Sequence, residues 1–275
     1  MVAAPSEDWM IRAFIRKDLP GRAGFSAAAA AALLALAAPA GSQEPGTGPD
    51  GSDAFIGEYR HSTVTLAGKS RRSVATIARR GEGFVIAWQE DEGNLFGGIG
   101  LSLDGVFGAA YTEALSGQFR GSFVVAYRIA GGRLEGVRMS HGDGQPSVRE
   151  TLQGPPGLGG RYDIVQGDDG AAGHLEIARR GDTYQMSWHM ADGTYDGAGL
   201  RIGDVLIAGF ARGFAPAIVA YCADAHVLTG LATYGHSGIV TPDRLVQSGT
   251  DGNAAEPSQR CRDAIARWNP SLAGQ

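Results

Sequence analysis

The line "IARRGEGFVIAW" at residues 77–88 returns as "IARRGDTYQMSW" at 177–188. A chain that repeats a line folds into two copies of one unit, and the match runs well beyond it. Gly57-Glu58-Tyr59 answers to Gly160-Arg161-Tyr162, and "FGGIGLSLDGV" (96–106) to "YDGAGLRIGDV" (195–205). "VAYRIAGGRLEG" (125–136) answers to "VAYCADAHVLTG" (219–230), and "RETLQ" (149–153) to "DRLVQ" (243–247). The offset falls from 103 through 100 and 99 to 94, with the steps placed at loops. One copy therefore covers 55–153 and the other 160–248. They are joined at 154–159, where the prolines of "GPPGL" stop strand pairing.

Within a copy the apolar period is two. Phe84, Ile86 and Trp88 share one face, as do Tyr184, Met186 and Trp188. That alternation marks half-buried strands with the Trp face inward. Strands are predicted near 56–63, 72–79, 83–90, 95–103, 105–111, 122–129, 132–140 and 147–153, and again in the second copy. Asp104-Gly105 and Gly203-Asp204 are matched tight turns. Gly98 and Gly100, matched by Gly197 and Gly199, share a face with Phe96 or Tyr195, a pattern that lets a sheet coil into a barrel. The expected fold is all-β: two tandem eight-stranded antiparallel meander units, each a small β-barrel, with a short C-terminal helix.

The ends read differently. Basic residues Arg12, Arg16, Lys17 and Arg22 precede "FSAAAAAALLALAAPA", which closes on Ala38-Pro39-Ala40; residues 1–40 read as a secretory signal peptide. Residues 41–54 read as a flexible leader. These features predict an exported protein, periplasmic or extracellular, with no membrane span in the mature chain. The first forty residues hold four basic and three acidic side chains. The remainder has 20 basic and 26 acidic residues, net −6, with Lys69 its only lysine. That balance disfavours nucleic acid, which needs a basic stripe. The two cysteines, Cys222 and Cys261, predict a disulfide in an oxidising compartment. In the tail (249–275), Pro257 starts a helix that carries Cys261, Ile265 and Trp268 on one face. Cys222 stands where the first copy has Arg128, so the tail is expected to dock on the second unit.

Duplication also supplies a control, since a catalytic group of the unit should recur. No two of the six histidines align, and no zinc-type ligand spacing occurs, so no catalytic residue, metal or cofactor is expected. "YGHSGIV" (234–240) lacks the order of a nucleophile elbow. "EDEGN" (90–94) and "QGDDGAAG" (166–173) lack a full calcium ligand run. Arg180-Gly181-Asp182 is turn chemistry before it is a recognition tripeptide. The matched aromatics Tyr59, Phe84 and Trp88, with Tyr162, Tyr184 and Trp188, are either core or the lining of a ligand cavity. Thr194 and Asp196 stand where the first copy has Leu95 and Gly97, which suggests a more polar rim in the second copy. Those eight residues are the expected ligand-binding set, with the second copy preferred.

The strands at Gly98–Leu101, Val125–Tyr127 and Leu134–Gly136, repeated at Gly197–Leu200, Val219–Tyr221 and Leu228–Gly230, resemble a bacterial group of exported tandem β-repeat proteins. Some members of that group are labelled fibronectin-binding. In architecture the G-x-Y opening is similar to lipocalin and avidin units. The resemblance implies a non-catalytic binding protein that acts through a barrel cavity or a surface. Its partner would be a small apolar ligand or an extracellular protein. A secreted hydrolase with one active repeat is the alternative.

Overall fold

The computed structural model describes residues 52–64, 70–113, 122–141, 147–224, 226–250 and 257–267. The expected signal peptide, nearly all of the leader and Trp268 lie outside these. The first repeat supplies β1 (Gly57–Val64), β2 (Ser70–Arg80), β3 (Gly83–Glu90), β4 (Leu95–Leu103), β5 (Val106–Glu113), β6 (Phe123–Ala130), β7 (Arg133–Ser140) and β8 (Val148–Gln153). The second supplies β9 (Gly160–Gly167), β10 (Gly173–Arg180), β11 (Thr183–Met190), β12 (Gly193–Ile202), β13 (Val205–Ala211), β14 (Ala217–Asp224), β15 (Val227–Tyr234) and β16 (Val240–Gln247). Helix α1 (Gln259–Ala266) follows, capped by Ser258, whose hydroxyl accepts from the Cys261 amide.

All strands pair antiparallel, and they close two eight-stranded barrels as expected. The partition differs from the expected one. The first barrel takes β1–β5 from the first repeat and β14–β16 from the second; the second barrel takes β9–β13 and β6–β8. Neither 55–153 nor 160–248 closes a barrel by itself. The repeats exchange their last three strands: β5 pairs with β14 (Ala109 opposite Val219) and β13 pairs with β6 (Ala208 opposite Val125).

The physical cause lies in the links. Two-residue turns at Gly81, Asp104-Gly105, Gly131-Gly132, Gly181 and Gly203 fold their strands back on themselves with positive φ. The link from β13 to β14 turns at Arg212-Gly213, where Ala211 bridges to Phe214, and then runs on through Ala215 and Pro216, which cannot donate to a ladder, before β14 begins. Strand β14 is thereby directed to the other barrel.

Three cores result. One fills the first barrel, around Phe84, Phe107, Tyr59 and Trp88. One fills the second, around Trp188, Tyr162, Phe210 and Met186. The third lies between them, where the outward faces of β4, β5, β14 and β15 (Ile99, Leu101, Ala110, Ile218, Leu231) meet those of β6, β12 and β13 (Val124, Leu200, Ile207). The inward glycines explain the closure. A Cβ at Gly98 or Gly197 would strike the β5 or β13 backbone carbonyl.

The tail docks on the second repeat, as expected: α1 contacts β12, β14 and β15. Cys222 and Cys261 are bonded, with Cα atoms 5.8 Å apart, within disulfide reach. Because the exchange divides those three strands between the barrels, α1 also spans the seam. Ala264 and Ile265 pack on the inter-barrel core, and the Gly203 amide donates to the Ala264 carbonyl. On the opposite flank Arg128, at the position matching Cys222, makes a two-pronged ion pair with Asp104 (2.5 and 2.7 Å). The seam is thus fastened on both flanks, by covalent bond on one and by charge on the other.

Candidate functional site

Each barrel has a plugged end. Phe55 of the 3-10 turn Ser52–Phe55 packs on Phe84 and Phe107. Leu158 of the inter-repeat link enters the second core. The tyrosines of the G-x-Y motif anchor these plugs. The Tyr59 hydroxyl donates to the Phe55 carbonyl (3.0 Å), and that of Tyr162 donates to the carbonyls of Gly157 and Pro155. Burial pushes the Tyr59 phenol up to about 12, so it stays a donor. Phe84 and Tyr184 are core on the same side. These four aromatics therefore hold structure.

The other end differs between barrels, and there the exchange brings the two repeats together. In the first barrel His61 and Ser73, inward on β1 and β2, meet Asp243 and Tyr221, inward on β16 and β14. His61 Nε2 lies 2.6 Å from Asp243 Oδ1, and its Nδ1 lies 2.9 Å from Ser73 Oγ. Tyr221 donates to Asp243 Oδ2 at 2.8 Å, and the Arg244 amide donates to Oδ1 at 2.8 Å. Trp88 lies on Tyr111 with ring centroids 4.3 Å apart, and Phe96 meets Tyr111 edge-on.

The electrostatics favour a charged pair. Burial opposes the imidazolium of His61, but the hydrogen bond and charge of Asp243, with Glu90 behind it, raise its pKa above the ordinary value. Burial likewise opposes the Asp243 carboxylate, and His61, Tyr221 and the Arg244 amide outweigh it, so Asp243 is lowered.

The matching end of the second barrel holds Ile164, Gly173, Met190 and Phe210 where the first has His61, Ser73, Glu90 and Tyr111. One polar element recurs. Tyr127 donates to the buried Glu150, as Tyr221 does to Asp243. This pair escapes the sequence comparison because "RETLQ" matches "DRLVQ" one residue out of register. Gly136 faces Glu150 and Gly230 faces Asp243, so the offset here is 93 rather than 94. Burial dominates at Glu150 and raises its pKa, against Arg138 at 3.3 Å and Tyr127. Arg138 also reaches Asp169 of the β9–β10 turn, a contact that ties this cluster off.

Among the sequence-derived candidates, Trp88 and Trp188 occupy equivalent registers, opposite Ala75 and Leu175. Trp188 is fully buried, its indole N–H without a hydrogen-bond partner, at a cost of about 1–3 kcal/mol. Thr194 and Asp196 do not line the second barrel. They share the outer face of β12 with Ala198 and Leu200, where Asp196 meets Ser187 and Thr194 meets His189. The polar interior is His61, Ser73, Tyr221 and Asp243 in the first barrel and Tyr127, Glu150 and Arg138 in the second. Of the loops weighed for chemistry, Asp169 is engaged by Arg138, and Ser237 Oγ accepts from the Ile239 amide as a turn residue. No protein-family description, curated protein or solved structure matches this chain.

Proposed function

We propose that the chain is an exported, non-catalytic binding protein whose ligand seat is the His61 end of the first barrel. The observation that carries this is the divergence at matched inward positions: His61, Ser73, Glu90 and Tyr111 in one barrel, Ile164, Gly173, Met190 and Phe210 in the other. Buried polar groups cost stability unless paired. The second barrel has one inward polar side chain without a counterpart, Arg138 where the first has Ala232, and it is tied off by Glu150 and Asp169; the four in the first barrel are retained for recognition. With His61 as imidazolium, both ring nitrogens donate, to Asp243 and to Ser73 Oγ. The Ser73 hydroxyl proton is then free for a ligand acceptor. Trp88, Tyr111 and Phe96 offer a flat apolar wall beside it. The ligand class is a small organic molecule with an aromatic or aliphatic body and one hydrogen-bonding end.

Ser73, His61 and Asp243 also have the order of a hydrolase relay, and one feature weighs against that alternative. Ser73 sits within a strand flanked by His61 on one side and Glu90 on the other, so nearby amides serve the ladder rather than an oxyanion.

Native mass spectrometry of the full chain purified from its export compartment tests the reading. The expected result is a retained small molecule that is lost in Trp88→Ala and in His61→Leu. Ester hydrolysis abolished by Ser73→Ala would overturn the non-catalytic assignment. Fibronectin captured by a chain that holds no small molecule would move the function to the surface.

A further inference from the structure

Outside the second barrel, on the face opposite its core, His174 and Glu176 of β10 stand beside His189 of β11. His174 and His189 are direct cross-strand partners, and their rings stack with centroids 4.4 Å apart at 14°. Glu176, two residues along the same strand, points to the same side. Its carboxylate lies 3.6 Å from His174 Nε2 and 3.8 Å from His189 Nε2, and one donor atom from each residue falls within 4.8 Å of the other two.

We propose that His174, Glu176 and His189 form a binding site for a divalent zinc-class ion, independent of the ligand seat in the first barrel. Metal–nitrogen and metal–oxygen bonds of about 2.0–2.2 Å in tetrahedral array place neighbouring donors about 3.3–3.5 Å apart. The two carboxylate–imidazole separations exceed that by a few tenths of an ångström, and the stacked rings, whose in-plane lone pairs run nearly parallel, must swing out of the stack to converge on one ion.

Three further features point to a ligand. His189 Nε2 is shielded from solvent, has no hydrogen-bond partner and faces the Glu176 carboxylate 3.8 Å away. On the other edge of the ring, Thr194 Oγ1 lies 3.2 Å from His189 Nδ1. With the proton on Nδ1, that hydroxyl accepts it and the Nε2 lone pair is left for an ion, the usual support for a metal-bound imidazole. The donor set itself selects: two imidazoles and one carboxylate suit zinc, copper, nickel or iron rather than calcium or magnesium. A fourth position faces solvent, open to water or to a donor from a partner.

The first repeat supplies the control. Its matching residues are Val74, Thr76 and Gln89, with Leu95 in place of Thr194, so it has no such donors. This also explains why the site is hard to see in the sequence. Single histidines with no counterpart look incidental until β10 and β11 are in register.

The test is zinc titration of the untagged full chain against a chromogenic chelator, with Co²⁺ absorption as a report on geometry. The expected result is one Zn²⁺ per chain and the intense visible bands of four-coordinate Co²⁺. His174→Val and His189→Gln, which install the first repeat's residues on an outer face, should each weaken binding about 100-fold. Thr194→Leu should weaken it about tenfold. Circular dichroism should be unchanged in all three. Stoichiometric zinc that survives His174→Val/His189→Gln, or cobalt spectra of the free aqua ion in the wild type, would overturn the proposal.

Discussion

Gly108 and Ile207 hold the same position in the two repeats and lie against each other across the seam. A Cβ built on Gly108 would fall inside the Ile207 side chain. Two residues away, Ala110 and Gly209 repeat the relationship with the sizes reversed. Matched positions meet only on the pseudo-two-fold axis of an exchanged pair, where identical large residues would collide. The repeats have therefore become complementary there, one copy supplying the hole and the other the knob.

That complementarity is testable by exchange. Gly108→Ile should destabilise the chain by about 1–3 kcal/mol through overpacking, read as a shift in urea midpoint. Gly108→Ile combined with Ile207→Gly should recover a large part of the loss. Additive losses would show that the two positions do not share a contact.

The disulfide should act on the whole molecule. It closes a segment with a sequence separation of 39 and fixes α1 over the seam, so Cys222→Ala/Cys261→Ala should lose about 3–4 kcal/mol of stability. Because Ala264 and Ile265 touch the inter-barrel core, hydrogen exchange should rise in β12 and β14 together. A rise confined to α1 would contradict the docking described above.

The His61–Asp243 pair makes a prediction about pH. His61 is raised above 6.5, so the stability it contributes is complete below that value and fades as pH rises through the folded value. Asp243 is lowered below 3.8, so its contribution is complete above that value and fades as pH falls through the folded one. Between those limits the pair is at full strength. An NMR titration should place the His61 ring above 6.5. In Asp243→Asn the loss of the carboxylate should drop it well down, because burial then has only Glu90 against it. An unchanged titration in that variant would remove Asp243 as the cause.

Much of the fold is legible in the residues. The alternation through Phe84, Ile86 and Trp88, and the turn at Asp104-Gly105, locate strands to within a residue or two. Partner choice is not legible in the same way. Strand β5 can face Val125 or Val219 with the same apolar pattern, so pairing within a repeat and between repeats look alike. The signals that separate them are small: the Ala215-Pro216 extension after the Arg212-Gly213 turn, and Gly108 against Ile207. The site was missed for a related reason. His61 and Ser73 lie in one repeat and Asp243 in the other, and only the exchange unites them. Thr194 and Asp196, set against Leu95 and Gly97, suggest a polar rim to the second barrel, but alternation counted from the inward-facing Tyr195 puts both outside.

Cysteine cross-linking across the β1 seam tests the exchange most directly. Arg60 of the first repeat is the Cα partner of Val246 of the second; in a barrel closed within one repeat it would face Gln153. Under mild oxidation of the full chain, Arg60→Cys/Val246→Cys should form its new bond, and Arg60→Cys/Gln153→Cys should leave two thiols. A bond between positions 60 and 153, with free thiols at 60 and 246, would contradict both the exchanged barrels and the composite His61–Asp243 site.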